Sequence, residues 1–120
     1  MHSSSRVKHK GTFLGVREKL PYLKELGINQ IQCMPVYEFQ EDMGSYRNYW
    51  GYGTGYYFAP KAAYAAFDDA QTELKDLVKA CHKAGIEVVL EMPFTERFFP
   101  RLRWNVFVFI FWSIMWMGLW

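Results

Sequence analysis

Apolar positions along this chain switch between two intervals. Between Gly15 and Leu26 they fall at Val16, Leu20, Leu23 and Leu26, the spacing of one helical face. Pro21 inside that pattern predicts a kink or a late helix start, because proline lacks the amide the helical ladder uses. Gly27 predicts the stop, as the residue that accepts a left-handed backbone at low cost. Ile28–Val36 (INQIQCMPV) follows as a strand ended by Pro35. A second helical face carries Leu74, Leu77, Val78 and Cys81, entered through an Asp68-to-Gln71 capping box and closed after Ala84 by Gly85. The last strand, from Ile86 to Met92, is rich in β-branched residues and bounded by Gly85 and Pro93, which predicts cover on both faces. Glu91, Thr95 and Glu96 lie at its far end, where parallel α/β folds place their chemistry.

The two halves repeat. Leu26-Gly27-Ile28 leads to Met34-Pro35-Val36, and Ala84-Gly85-Ile86 leads to Met92-Pro93-Phe94 at the same offset. Helix, glycine stop, strand and Met-Pro exit occurring twice predict α/β units with parallel strands. Such sheets need helices on their faces and more than two strands, so two units form an incomplete core. Met1–Thr12 is polar and basic without periodicity and is expected to be a connection.

Aromatic content of 19 % changes this picture, because the rings concentrate in two places. One is the connection from the first strand to the second helix, about thirty residues against the usual few, and loops of that length are normally functional. It holds Tyr37, Phe39, Tyr46, Tyr49, Trp50, Tyr52, Tyr56, Tyr57, Phe58, Tyr64 and Phe67, with glycines at Gly51, Gly53 and Gly55. Most of these rings are expected to pack on one another, leaving one or two as a platform for the apolar face of a sugar. The charged residues of this stretch, Glu38, Glu41 and Asp42, are expected to be solvated.

A formal net charge of +2 over 120 residues is too weak to imply a nucleic-acid or anionic-surface partner, and no nucleic acid is expected. Cys33 and Cys81 stand in apolar settings with no metal-ligand spacing, so no metal or cofactor is expected and both are expected as buried thiols in a reducing compartment. Met1–Arg6 precedes no apolar segment, which gives a cytoplasmic expectation. His82 is expected on the surface or partly packed.

Four segments together resemble the α-amylase superfamily, the family 13 glycoside hydrolases, on its isoamylase, pullulanase and glycogen-debranching side. They are KGTFLGVREKLPYLKELGI (10–28), MPVYEF (34–39), NYWGYGTGYYFAPKAAYA (48–65) and LVKACHKAGIEVVLEMPF (77–94). The resemblance implies α/β architecture, here an incomplete (β/α)₈ barrel running from the first helix to the third strand over residues 1–97. It also implies an α-glucan partner, met at the carboxyl ends of the strands. In that family the tyrosine of the Trp-Gly-Tyr motif stacks on the sugar beside the scissile bond. Tyr52, Trp50 and Glu91 are accordingly the candidate substrate-binding residues. The family's third strand ends Asp-x-x-x-Asn-His, whereas this chain has Glu91, Thr95 and Glu96, a departure from a typical α-amylase. Hydrolysis needs two carboxylates flanking the bond, and the family keeps these on later strands. No catalytic set is therefore expected, and the chain is expected to be inactive alone. The alternative is a membrane-attached, non-enzymatic module that binds glucan through the Tyr-rich loop.

Residues 98–120 form the second aromatic concentration. Trp104–Trp120 (WNVFVFIFWSIMWMGLW) carries no charge and follows Arg97, Arg101 and Arg103. As a membrane helix it falls below the ~20 apolar residues that span a bilayer, although flanking arginines and tryptophans suit one. The genetic code offers another origin. Met115-Trp116-Met117-Gly118 must be encoded ATG TGG ATG GGN, and reading from the last base of each codon gives Val-Asp-Gly. Trp104-Asn105 in that register gives Glu. The residues between can become text similar to the family's next helix and the approach to its fourth strand. The segment is therefore expected to be frameshifted, with the break between Thr95 and Trp104; a membrane helix is the alternative.

Overall fold

The computed structural model describes residues 5–52, 56–67 and 69–92. Gly53, Gly55, Asp68, Thr95, Glu96 and the Trp104–Trp120 segment, on which several expectations fell, lie outside the described residues.

The first helical pattern resolves into two short helices, α1 (Phe13–Glu18) and α2 (Leu20–Glu25). Thr12 caps α1 by accepting from the Gly15 amide at 3.1 Å. The break falls at Lys19, and Pro21 sits in the opening turn of α2, where its missing amide would have had no helical partner. The late start was thus legible; its effect on Leu26 was not. Leu20 is buried, but Leu26 is 62 % exposed, because it caps α2 instead of continuing a helical face.

Both glycine stops have one geometry. At the end of α2 the Gly27 amide donates to Lys24 O and the Ile28 amide to Leu23 O. At the end of α3 (Ala70–Lys83) Gly85 donates to His82 O and Ile86 to Cys81 O. This pair of bonds closes the last turn in a Schellman motif, and it needs φ of +83° at Gly27 and +75° at Gly85. In each case the following isoleucine joins the core beside the residue whose carbonyl it uses. The sequence repeat is therefore a repeated way of turning a helix into a strand.

The strands so launched are β1 (Gln30–Cys33) and β4 (Glu87–Leu90), which pair in parallel with Gln30 opposite Glu87 and Cys33 opposite Leu90. Parallel pairing requires a crossover, here the long connection and α3. Ile31, Cys33, Val88 and Leu90 pack on the core. Gln30, Gln32, Glu87 and Val89 occupy the other face and are exposed. The expectation of a last strand covered on both faces is corrected here. Its core-directed residues are half-buried, and Val89 is 40 % exposed. Among the described residues, α3 packs on one side of the sheet and no layer covers the other.

Leu77, Val78, Cys81 and Ile86 are nearly inaccessible and form the centre of the core, with Phe13, Leu20, Val36 and Tyr37 around them. Burial pushes the Cys81 thiol up to about 11 and raises Cys33 as well, as suits unreactive thiols. The N-terminal connection is not loose from residue 5 onward. Val7 is buried, the Lys8 amide donates to Glu18 Oε2, and His9 Nδ1 pairs with Glu18 Oε1. His82 is exposed, as expected.

The long connection also folds. β2 (Tyr37–Glu38) and β3 (Tyr56–Pro60) pair antiparallel with an irregularity between Tyr37 and Glu38, and a 3₁₀ turn at Ala62–Tyr64 follows. This ribbon was not legible, since two ladder positions leave no alternation to detect.

Candidate functional site

The exit of the parallel strands is where the connection returns to the sheet. The Glu91 amide donates to Cys33 O at 2.9 Å, extending the β1–β4 ladder one step beyond Leu90. That bond fixes the backbone from which the Glu91 side chain springs. The Tyr52 hydroxyl donates to Glu91 Oε1 at 2.6 Å. The short distance is that of a charge-assisted bond. It holds the phenol proton in place, raising the Tyr52 pKa, with burial and the charge of Glu91 adding to the same direction. Two of the three candidate substrate-binding residues therefore meet.

The third, Trp50, is two residues from Tyr52 but joins a different set. Its ring lies edge-on to Tyr49, centroids 5.3 Å apart. Both rings border an open, largely apolar cleft of about 470 Å³ that also takes in Phe13, Val16, Met34 and Leu77. Tyr52 and Glu91 do not line that cleft. The chemistry sits with the pair, where a polar hydrogen and a carboxylate are held, whereas the cleft offers an apolar wall.

Between Trp50 and Tyr52 the chain turns at Gly51, with φ of +78°. A Cβ there would come within 3.1 Å of the Phe39 ring and 3.2 Å of Pro35 O, so the position demands glycine both conformationally and sterically. Asn48 clamps the turn. Its Nδ2 donates to Tyr52 O at 2.7 Å, and its Oδ1 accepts from the Gly51 amide at 3.2 Å.

Two expectations about the connection are corrected. Most rings do not bury one another. Tyr46, Tyr49, Trp50, Tyr52, Tyr56, Phe58 and Phe67 are exposed, while Tyr37 and Phe39 are buried. A two-stranded ribbon has too little interior for that many rings. Nor are Glu38 and Glu41 merely solvated. They receive Lys61, whose side chain is 6 % exposed, with Nζ 3.0 Å from Glu41 Oε1 and 3.6 Å from Glu38 Oε2. Nζ also lies 4.1 Å from the centre of the Phe39 ring and 3.4 Å from Phe39 O. Burying an ammonium is costly without such partners. Lys61, chiefly, with Arg47 beside it, holds the Glu41 carboxyl below its usual range. Glu38 Oε1 also accepts from the Ala62 amide at 2.6 Å. Asp42 caps its own turn through the Gly44 amide.

Sequence reasoning missed Lys61, Asn48 and Glu73. Glu73 accepts from the Ala66 and Phe67 amides, each at 2.8 Å, and so ties the end of the connection to the first turn of α3. No periodicity marks these residues, because Asn48 and Glu73 bond backbone groups of irregular segments and Lys61 meets side chains of the β2–β3 ribbon. Among the described residues no group of three His, Cys, Asp or Glu side chains could hold a metal ion.

Parallel strands joined through a helix, with a polar pair at their carboxyl ends, place this chain among the α/β proteins. The family model of the α-amylase catalytic domain matches residues 2–94, and the chain belongs to that family. It is 43 % identical to the chloroplastic isoamylase 1 of Oryza sativa subsp. japonica over 105 residues, which cover 79 % of this chain and 13 % of that one. It is 40 % identical to the glycogen debranching enzyme of Dickeya chrysanthemi over 72 % of this chain and 14 % of the relative. The type I pullulanase of Bacillus subtilis str. 168, solved with maltose, superposes with a TM-score of 0.65 at 29 % identity, over 76 % of this chain and 15 % of that one. The chain thus spans about one seventh of the length of the relatives it matches.

Proposed function

We propose that this chain is the substrate-contacting portion of a glycosidase acting on α-glucans and that it lacks bond-cleaving capacity by itself. The Tyr52–Glu91 bond at the strand exits is the observation that carries the reading. It holds an exposed ring and a carboxylate where a barrel enzyme meets its substrate, and Trp50, two residues from Tyr52, adds an exposed ring on the neighbouring cleft. The debranching relatives favour α-glucan as the ligand class. Residues 1–97 constitute the barrel portion, and residues 98–120 a separate apolar segment of frameshifted origin.

Cleavage needs an acid and a nucleophile or base on opposite sides of the bond. The described carboxylates around the site have other partners. Glu91 receives Tyr52, Glu38 and Glu41 receive Lys61, and Glu73, at the start of α3, receives two amides. This supports binding without turnover. A cytoplasmic compartment agrees with it, since Cys33 and Cys81 are free thiols.

Calorimetric titration of the full chain with maltotriose, alongside a reducing-sugar assay on pullulan and glycogen, tests the proposal. Binding weakened roughly tenfold or more by Trp50→Ala and by Tyr52→Ala, with no sugar release, is expected, tenfold being about 1.4 kcal/mol. Turnover by the purified chain, or heat of binding indifferent to both substitutions, would overturn it.

A further inference from the structure

Lys61 follows Tyr52 by nine positions, and its ammonium bonds to neither Tyr52 nor Glu91, yet two chains of contacts lead from it to the Trp50–Tyr52 turn. The first is apolar. Nζ sits 4.1 Å from the centre of the buried Phe39 ring, and that ring is the wall against which Gly51 turns. A cation over the ring face favours one ring placement. A rotated Phe39 would collide with the Gly51 backbone or leave it without support.

The second route is polar. Nζ lies 3.0 Å from Glu41 Oε1, and the Glu41 carbonyl accepts from the Asn48 amide at 2.7 Å. Asn48 in turn binds the Tyr52 carbonyl and the Gly51 amide. The routes reach the turn at different groups, one through the packed face of Gly51 and one through the Gly51 amide and the Tyr52 carbonyl. Lys61 itself is anchored, because its own amide donates to Val36 O at 2.8 Å, one step beyond the Tyr37–Pro60 pair of the β2–β3 ribbon. The ammonium therefore references the turn to Val36, three residues along the chain from Cys33, whose carbonyl holds the Glu91 amide.

We propose that Lys61, acting through Phe39 and through Glu41 and Asn48, is a positioning residue that sets Tyr52 against Glu91. This rests on the glucan-contact reading of that pair for its functional meaning, but not for its geometry. The buried ammonium serves the reach of a ring at the site and touches no sugar.

The Tyr52 phenol reports the geometry directly, because its proton is held by Glu91. The experiment is an ultraviolet titration of tyrosinate in the full chain, taking the difference between each protein and its Tyr52→Phe counterpart. In the parent the Tyr52 midpoint is expected above that of an ordinary tyrosine. Lys61→Met and Asn48→Ala are each expected to bring it back toward the ordinary value. Arg47→Ala removes the exposed partner of Glu41, leaves Lys61 in place, and is expected to change nothing. Asn48→Ala covers the possibility that Lys61→Met unfolds, since it buries no charge. An unshifted Tyr52 in the parent, or a midpoint that stays raised in Asn48→Ala and in folded Lys61→Met, overturns the proposal. Maltotriose titration of the same proteins separates it from the functional reading. Loss of the raised midpoint with a parent that binds no maltotriose upholds the positioning role and sinks the glucan reading. Maltotriose binding by the parent with a raised midpoint in both variants does the reverse.

Discussion

Tyr52 and Glu91, thirty-nine positions apart, are joined by one hydrogen bond, the phenol donating to Oε1 at 2.6 Å. The pair joins a loop to a strand end, and its pH response follows from the direction of the tyrosine shift. The folded phenol holds its proton more tightly than an unfolded tyrosine near ~10. Its contribution to stability is complete below that value and is lost as pH rises through the raised folded value. Urea midpoints measured from neutral to strongly alkaline pH are expected to fall more steeply in the parent than in Glu91→Gln. Parallel curves for the two proteins would show that the bond does not contribute.

Gly51 supplies the next expectation. Alanine there must hold φ near +78° and press a methyl group to 3.1 Å from a buried ring and 3.2 Å from a carbonyl oxygen. Strain of this kind costs on the order of 1–3 kcal/mol. Gly51→Ala is expected to lower the urea midpoint and weaken maltotriose binding, whereas Gly44→Ala at a similar φ of +78°, with open space around it, is expected to leave binding unchanged. Equal binding losses at both positions would assign the effect to backbone strain alone and remove Phe39 from the argument.

The contrast between these glycines shows what the sequence could convey. Gly27 and Gly85 were legible because each follows an amphipathic helix and precedes a strand, so a local rule specifies their backbone. The face of α3 was legible for the same reason; Leu74, Leu77, Val78 and Cys81 are all buried. The family resemblance placed Tyr52 and Glu91 in one region before any geometry was available. What escaped notice depends on contacts between irregular segments. Lys61 finds Glu38, Glu41 and Phe39 across the β2–β3 ribbon, and nothing in their spacing announces a buried ammonium. Helix α3 is capped by Asp69, next to the anticipated Asp68, because the partner is Thr72 and the expected motif was one residue out of register. The two-sided cover predicted for β4 failed for a different reason. An apolar run states what a strand is suited to pack against, and the packing partner must come from elsewhere in the fold.

The centre of the core gives a third prediction. Leu77 is 2 % exposed and packs among Val78, Cys81 and Ile86, in a core whose sheet has a helix on one face. Truncating a buried leucine to alanine costs roughly 2–5 kcal/mol, a large share of the 5–15 kcal/mol typical of a whole domain. Leu77→Ala is expected to abolish the cooperative urea transition at 25 °C, while Leu26→Ala, at 62 % exposure, is expected to leave it nearly unchanged. Similar transitions in both variants would mean that α3 does not organise the core.

Asp69 provides the acid-side counterpart to Tyr52. Its Oδ1 accepts from the Thr72 amide at 2.9 Å and its Oδ2 from the Thr72 hydroxyl at 2.5 Å, so both oxygens serve the first turn of α3. The hydroxyl bond, then the amide bond, hold the carboxyl below its usual range. The folded value is depressed, so the contribution of the cap is present above the unfolded value near 3.8 and is lost as pH falls through the folded one. Asn at this position can still cap through its amide oxygen but does not titrate. Helical ellipticity followed from pH 7 down to pH 2 is therefore expected to decline in the parent and to decline less in Asp69→Asn, which starts close to the parent. Asp69→Ala is expected to start lower and show the shallower decline. A parent curve that coincides with Asp69→Asn throughout would assign the acid transition to other carboxylates, Glu18 and Glu41 being the ones whose values are also depressed.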